Sequence, residues 1–199
     1  MKELFRLIGI TGGIGAGKSV VSRVLRLKGY AVYDCDEEAK RLMIESNSLR
    51  DNLINRFGDE CIIDGTLNKS FIATRIFNDS EARGWLNRQV HGAVASDIDE
   101  WCKGKGLAFV ESAILHTSGL DKKCDEIWLV VAPEETRIAR ALKRGGIEED
   151  NLRKRIEAQK DEFDSLPQDI TRELRNDGCG LLKQIELALN DINKSINTN

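Results

Sequence analysis

The segment from Gly12 to Ser19 reads GGIGAGKS and has the residue types and spacing of a phosphate-binding loop. Its glycines let the backbone turn tightly and point N–H groups at phosphate oxygens. Lys18 can reach the β- and γ-phosphates of a nucleoside triphosphate, and the Ser19 hydroxyl can ligate Mg²⁺. We therefore predict a triphosphate and magnesium site formed by Gly13, Ile14, Gly15, Ala16, Gly17, Lys18, Ser19 and Val20.

Two aspartates follow the next apolar run of the chain. Tyr30-Ala31-Val32-Tyr33 reads as a strand, and Asp34-Cys35-Asp36 comes directly after it. Ligands of open parallel sheets gather at the carboxyl ends of strands, where an acid can take a proton from an attacking hydroxyl or hold the magnesium shell. Aspartate also suits a turn or the N-cap of a helix beginning near Glu37. We predict a functional role for Asp36 and leave both roles open for Asp34.

A group of arginines follows Pro133 and could serve phosphoryl transfer. Three of them share one helix face at i, i+3 and i+7, and two more follow the Gly145-Gly146 pair. Guanidinium groups stabilise charge on transferred phosphoryl oxygens, and a helical pair hinged at the glycines could close as a lid. The alternative is a solvated helix with local ion pairs. The arginines are Arg137, Arg140, Arg144, Arg153 and Arg155, and Arg144, beside the hinge, is the strongest catalytic candidate.

Three further side chains are candidates of a weaker kind. Glu111 ends the third apolar run, so it could assist magnesium, position a substrate or cap the next helix. His91 and His116 are the only histidines, and neither has a neighbour at metal-ligand spacing. From spacing alone, a structural role is favoured for both histidines.

The elements that position these residues alternate between short apolar runs and longer helical patterns. This alternation predicts an α/β fold with a parallel sheet wound by βαβ crossovers. The fifth strand is the most polar of the set. The predicted strands are Leu4–Ile10, Tyr30–Tyr33, Leu107–Val110, Ile127–Val131 and Ile170–Arg175.

The stretch from Glu37 to Lys103 is long and poor in strands, so we predict a helical insertion that covers a substrate. After it, Pro133-Glu134-Glu135 opens a helix that Gly145-Gly146 closes. The remaining helix-like segments are Glu37–Phe57, Lys69–Phe77, Glu81–Cys102, Glu148–Phe163 and Leu181–Ile196.

Composition excludes several classes of protein. The 199 residues suit one α/β domain with an insertion, and a net charge of −3 argues against a nucleic-acid-binding surface. No apolar stretch approaches the roughly 20 residues that span a bilayer, and no signal peptide is evident. The five cysteines are scattered without a C-x-x-C pattern, which favours reduced thiols and a cytoplasmic protein. No obligate protein partner is indicated.

Taken together, these motifs resemble those of the dephospho-coenzyme A kinase family, and the resemblance covers nearly the whole chain. Many kinases share the phosphate loop, so the specific part of the resemblance is its combination with Asp34-x-Asp36, Arg155-Ile156-x-x-Gln159 and Asn176-Asp177-Gly178. Further matches are Phe57-Gly58, Asp64-Gly65-Thr66-Leu67, Ile76-Phe77, Leu86 to His91 and Ala132-Pro133-Glu134.

The resemblance implies a P-loop kinase fold, a three-layer sandwich with a five-stranded parallel sheet. It implies one domain over residues 1–199, with a helical acceptor-binding insertion at about 37–103 and a lid at about 137–165. The implied reaction transfers the γ-phosphoryl group of ATP to the ribose 3′-hydroxyl of dephospho-coenzyme A, the last step of coenzyme A synthesis.

The resemblance also implies roles for individual residues. Asp36 would be the catalytic carboxylate, Lys18 and Arg144 would stabilise the transferred charge, and Ser19 would hold Mg²⁺. Asn176 and Asp177 would lie near the adenine of ATP. The acceptor would contact Asp36, His91, Glu111 and Arg155. The chain departs from the family pattern outside the phosphate loop, at Lys40, Lys69, Gly92, Thr117 and Gly145.

Two other classes share parts of this pattern. A nucleoside or nucleoside-monophosphate kinase would have the same loop, lid and size, although Asp34-x-Asp36 leans away from it. A nucleotide-dependent regulator is the non-enzyme alternative. No Asn-Lys-x-Asp motif for guanine occurs, and a lid with several arginines is more useful for catalysis than for signalling.

Overall fold

The structure is a computed structural model that describes residues 5–178 and 180–197, with side chains as far as residue 195. Seven strands are described: β1 Arg6–Thr11, β2 Ala31–Asp34, β3 Ile62–Ile63, β4 Thr66–Leu67, β5 Leu107–Glu111, β6 Glu126–Val131 and β7 Thr171–Arg175. The α-helices are α1 Lys18–Leu27, α2 Cys35–Glu45, α3 Asn47–Phe57, α4 Lys69–Phe77, α5 Ser80–Trp101, α6 Glu134–Arg144, α7 Glu149–Glu157, α8 Lys160–Asp164 and α9 Leu181–Asn197.

A five-stranded parallel sheet forms the centre of the fold, in the order β2-β5-β1-β6-β7. The central strand β1 pairs in parallel with β5 on one side and β6 on the other. Its last five residues are all buried, because helices cover both faces of such a sheet. The predicted α/β class and all five predicted sheet strands are confirmed, although Leu4 lies outside the described residues.

Helices α1 and α9 pack their apolar faces on this sheet. Ile8 and Ile10 of β1 and Trp128 of β6 are fully buried against them. The rings of Phe109 on β5 and Trp128 on β6 approach with centroids 5.2 Å apart, so this contact spans the strand β1 that lies between them. The helices supply Val21 and Leu25 from α1, and Ile185, Ala188, Leu189 and Ile192 from α9.

The chain divides into two compact units, one with the sheet and one spanning Asp34–Lys103. The second unit has its own apolar core, formed by Leu49, Leu53, Cys61 and Ile72. Within it, Arg41 joins α2 to α5 by an ion pair with Asp97 at 2.7 Å. These bounds lie close to those of the insertion predicted at 37–103, whose acceptor-binding role stays a prediction.

Two predicted helices are each broken in the structure. The stretch 37–57 divides at Ser46, which has an extended backbone and whose hydroxyl accepts the Leu49 N–H at 3.3 Å as the N-cap of α3. Serine competes for backbone donors in this way, so it ends one helix and begins the next. The stretch 148–163 divides after Glu157, where tight i→i+3 bonds surround Gln159. The apolar periodicity of the sequence continues across both breaks, so the prediction of one continuous helix in each stretch was wrong.

Among the described residues, no helix combines the length and apolar character needed to cross a bilayer. Four of the five cysteines, Cys35, Cys61, Cys102 and Cys124, are described, and none of these four forms a disulfide bond. Cys179 lies outside the described residues.

Candidate functional site

The phosphate loop, residues 12–19, runs from the end of β1 into α1, and its backbone requires glycine at two positions. Gly12 has φ +149°, and a β-carbon there would lie 2.3 Å from the carbonyl oxygen of Val130 on β6. Gly15 has φ +77°, and a β-carbon there would lie 2.2 Å from the carbonyl oxygen of Arg137 on α6. Both neighbours are backbone atoms, so a side chain at either glycine would displace the loop or the element beside it.

Lys18 is the first residue of α1, and its side chain turns back over the loop. Its Nζ donates to the carbonyl oxygen of Gly12 at 2.7 Å. Ser19 and Val20 follow in the first helical turn and are exposed. The Ser19 hydroxyl is a hard oxygen donor, and Mg²⁺ held mainly by phosphates and water needs few protein ligands, so the residue fits the predicted metal. The helix N-terminus also favours an anion.

Asn176 connects the loop to the end of the sheet. Its backbone N–H donates to Val131 at the end of β6 (2.8 Å), and its side-chain Nδ2 donates to the carbonyl oxygen of Ala16 (2.8 Å). Arg140 of α6 donates from Nη2 to the Asn176 carbonyl oxygen at 3.0 Å. These three bonds hold the α6 helix, the phosphate loop and the segment after β7 in one arrangement.

A cavity of about 450 Å³ lies between the phosphate loop, α6 and Asn176. Its lining includes the predicted nucleotide-binding residues Gly15, Gly17, Val20, Arg144 and Asn176, together with Arg140 and Lys143. Asp177 is exposed and is not part of this lining. Sequence analysis did not single out Lys143, although its position three residues after Arg140 places both on the same face of α6. The cavity is cationic and borders the phosphate loop.

The five arginines of the predicted lid have different surroundings. Arg153 pairs with Glu135 at 3.2 Å and Glu149 at 2.7 Å, and both carboxylates raise the pKa of its guanidinium. Arg144 and Arg155 are exposed, and neither has a hydrogen bond or ion pair within residues 5–178 and 180–197. The ion-pair alternative therefore describes Arg153, whereas Arg144 remains available to a ligand.

The two aspartates after β2 separate into different roles. Asp34 is the N-cap of α2, and its Oδ1 accepts the N–H groups of Asp36 (3.0 Å) and Glu37 (3.2 Å). The side chain of Asp36 is exposed in the first turn of the same helix. The N-cap interpretation is thus correct for Asp34, whose carboxylate is occupied by the backbone.

Glu111 ends β5 and is aligned with Ile10 of β1 in the sheet register. Only 9% of its surface is exposed, so little of the side chain is accessible to a substrate from solvent. Its predicted contact with the acceptor stays a prediction.

His91 lies on α5 and is half-buried, and burial lowers the pKa of its imidazole below the ordinary 6.5. A cavity of about 590 Å³ lies along the same helix, lined on α5 by Arg88, Gln89, Gly92, Ala93, Ser96, Asp97 and Glu100. His91 is not part of that lining.

Comparisons with known proteins agree with this geometry. The model of the dephospho-CoA kinase family matches residues 6–178. A dephospho-CoA kinase of Porphyromonas gingivalis is 39% identical over 158 residues, which cover 78% of this chain and 78% of the relative. The crystal structure of TT1252 from Thermus thermophilus has a TM-score of 0.76 at 30% identity and covers 96% of this chain and 97% of that chain.

The likeness in fold extends to a kinase with a different name. Shikimate kinase from Acinetobacter baumannii, solved in complex with shikimate, has a TM-score of 0.56 at 16% identity and covers 97% of this chain and 96% of that chain. At that identity only the fold is shared, and one fold serves many acceptors. The sequence matches are what distinguish among such kinases, and by them the chain belongs to the dephospho-CoA kinase family.

Proposed function

We propose that this chain transfers the γ-phosphoryl group of ATP to the ribose 3′-hydroxyl of dephospho-coenzyme A, giving coenzyme A and ADP. The observation that carries the proposal is the family match over residues 6–178, which includes a phosphate loop whose glycines the backbone requires. The cationic cavity beside that loop provides room for the rest of the nucleotide. Dephospho-coenzyme A and ATP would be its small-molecule partners, and the cytoplasm its location.

On the nucleotide side, Lys18 and Arg144 bind and stabilise negative charge. Lys18 would exchange its bond with the Gly12 carbonyl for one with phosphate oxygens. Arg144 lines the cavity at the end of α6, followed by two glycines of positive φ that permit the helix end to move. Phosphoryl transfer requires positioning and charge stabilisation more than covalent chemistry, so these cations would account for much of the rate.

On the acceptor side, we assign the proton transfer to Asp36. Its carboxylate would accept the proton of the attacking 3′-hydroxyl, and its exposure leaves the oxygens accessible. Ser19 would hold Mg²⁺, which when bound neutralises phosphate charge and orients the triphosphate. The helical unit would bind the rest of the acceptor, with His91 as a contact, and Glu111 and Arg155 would complete the acceptor site.

A panel of acceptors tests the proposal. The chain is incubated with ATP, Mg²⁺ and one acceptor at a time, and ADP formation is measured with dephospho-coenzyme A, AMP, CMP, a nucleoside or shikimate. We expect turnover with dephospho-coenzyme A alone. Preference for a nucleoside monophosphate would contradict the proposal, and ADP release unaffected by every acceptor would indicate a nucleotide-dependent regulator.

Two variants then test the assigned roles. We expect Asp36→Asn to retain ATP binding and to lower kcat by about 10² or more, because the base is removed while the triphosphate site is unchanged. Asp34→Asn is the matched control, since an asparagine can still cap α2. Full turnover in Asp36→Asn would remove that residue from its assigned role.

A further inference from the structure

The short helix α8 and the residue before it contact the phosphate loop. The Gln159 side chain accepts the Ile14 N–H on its Oε1 at 3.1 Å. The ring of Phe163 lies against Gly13, because a β-carbon on Gly13 would be 3.7 Å from the Phe163 Cε2 atom. The Ile14 side chain packs on the apolar cluster of α6 and α7, formed by Ile138, Ala141, Leu152 and Ile156. Residues 13 and 14 are thus held from the lid side by backbone and side-chain contacts.

Helix α8 also contacts a second segment, through the side chain of Glu162, which is only 6% exposed. Its carboxylate accepts three hydrogen bonds from the segment after β5: from the His116 N–H (2.6 Å), the Thr117 N–H (3.0 Å) and the Thr117 hydroxyl (2.6 Å). Burying a carboxylate is costly unless such bonds compensate for lost water, and bonds to a charged acceptor are strong. Glu162 therefore fixes α8 to this segment.

The segment that receives Glu162 is itself anchored. The His116 Nδ1 atom shares a hydrogen bond with Oδ2 of Asp121 at 2.8 Å, and Asp121 is 5% exposed. The Asp121 N–H donates to the Leu115 carbonyl oxygen at 3.1 Å, which closes the turn. Glu162 thus bonds to an ordered part of the sheet unit and not to a solvated loop.

We propose that Glu162 is a positioning residue for the phosphate loop, acting through Gln159 and Phe163. Its three bonds fix α8, and the fixed helix holds the Ile14 N–H and Gly13 in place beside the residues that bind the triphosphate. The inference rests on the proposed function, because it assumes that residues 13–20 bind ATP. None of the three positioning groups needs to touch ATP for the effect.

A double-mutant cycle on ATP affinity tests the inference. The Kd of ATP is measured by calorimetry, without acceptor, for the wild-type chain, Glu162→Gln, Gln159→Leu and the double variant. The free energy of unfolding of each is measured in urea. Thr117→Val removes only the hydroxyl donor and takes the place of Glu162→Gln in the cycle if that variant does not fold, and Thr117→Ser is its matched control because it restores the donor.

We expect Glu162→Gln to raise the Kd about tenfold, as the loss of bonds to a charged group would. We expect Glu162→Gln to raise the Kd by a smaller factor when Gln159→Leu is already present, because the part of its effect that passes through Gln159 is then already lost. Thr117→Val should raise the Kd by less, and Thr117→Ser should restore it. Multiplicative effects of the two changes, or a Glu162→Gln variant with wild-type affinity, would overturn the inference while leaving the proposed function intact. A wild-type chain that binds no ATP would overturn both.

Discussion

The phosphate loop and the long helix α5 both contain glycines, but for different physical reasons. In the loop, Gly15 has a positive φ and a backbone carbonyl oxygen 2.2 Å from where a β-carbon would stand. In the middle of α5, Gly92 is exposed, helical, and has no atom within 4 Å of an added β-carbon. The first glycine is required by the fold around it, whereas the second weakens its helix without a steric reason.

The difference indicates where this protein can vary. Gly12 and Gly15 of the phosphate loop are constrained by the backbone of β6 and α6, which leaves no room for a side chain at either position. Helix α5 belongs to a unit with its own apolar core, where residues on the exposed face can change at a small cost in stability. The phosphate loop and the exposed face of α5 are thus under unequal steric constraint.

The largest expected effect comes from placing a side chain in the loop. We expect Gly15→Ala to abolish measurable ATP binding, because the methyl group meets the Arg137 carbonyl and the backbone cannot keep φ at +77° without strain. Calorimetry with ATP measures the loss. Gly29→Ala is the matched control: Gly29 also has a positive φ, +87°, but has no atom within 4 Å, so strain alone should leave ATP binding intact. Wild-type affinity in Gly15→Ala would refute the steric argument.

The next effect separates two arginines of the lid. We expect Arg144→Ala to lower kcat by about 10²-fold, as the removal of a donor to transition-state charge does. Arg153→Ala is the matched control on the neighbouring helix, because its guanidinium binds Glu135 and Glu149 and exposed ion pairs of this kind contribute little to stability. Steady-state kinetics at saturating ATP measure both variants. Equal losses of kcat would contradict the assignment of Arg144 to charge stabilisation.

A smaller effect, of opposite sign, is expected on α5. Gly92→Ala should raise the free energy of unfolding by about 0.5 to 1 kcal/mol, because alanine loses less backbone entropy in a helix and has space there. Urea denaturation measures the change. A destabilised Gly92→Ala variant would show that the contrast with Gly15 is wrong.

The smallest effect concerns the pH dependence of stability. Burial lowers the pKa of His91 below the ordinary 6.5, so below pH 6.5 the unfolded chain binds more protons at this residue than the folded chain. The free energy of unfolding should therefore fall as the pH decreases below about 6.5. In His91→Gln this part of the slope should disappear. Identical slopes for both proteins between pH 5 and 7 would exclude the effect.

Much of the fold could be predicted from local patterns. The five strands of the sheet have short apolar sequences that suit burial on both faces, and α4 was predicted with the bounds that the structure gives it. The errors fell at Ser46 and Gln159, where a polar residue interrupts a pattern that otherwise continues. At Ser46 the hydroxyl accepts a backbone N–H, and at Gln159 the backbone forms i→i+3 hydrogen bonds, and hydrophobic periodicity registers neither interaction.

The candidate site was predicted unevenly for a similar reason. In the phosphate loop, four residues at fixed spacing indicated the turn that precedes α1, whereas the ligand contacts of Lys18 and Ser19 stay predictions. The different surroundings of Arg144 and Arg153 could not be predicted, because the partners of Arg153 lie 4 and 18 residues away and become neighbours only when α6 meets α7. Glu162 gave no signal, since nothing in its local sequence indicates burial.

The amino-acid sequence by itself determined the elements of this protein, its phosphate loop and its membership in a kinase family, because those depend on short-range spacing. Only the tertiary structure decided which carboxylates cap helices or are buried, which guanidinium remains accessible, and how α8 reaches the loop. Those outcomes depend on contacts between residues that are distant in the sequence, such as Ile14 and Gln159, which are 145 positions apart. Such contacts form only when the chain folds, so they leave no local signal in the sequence.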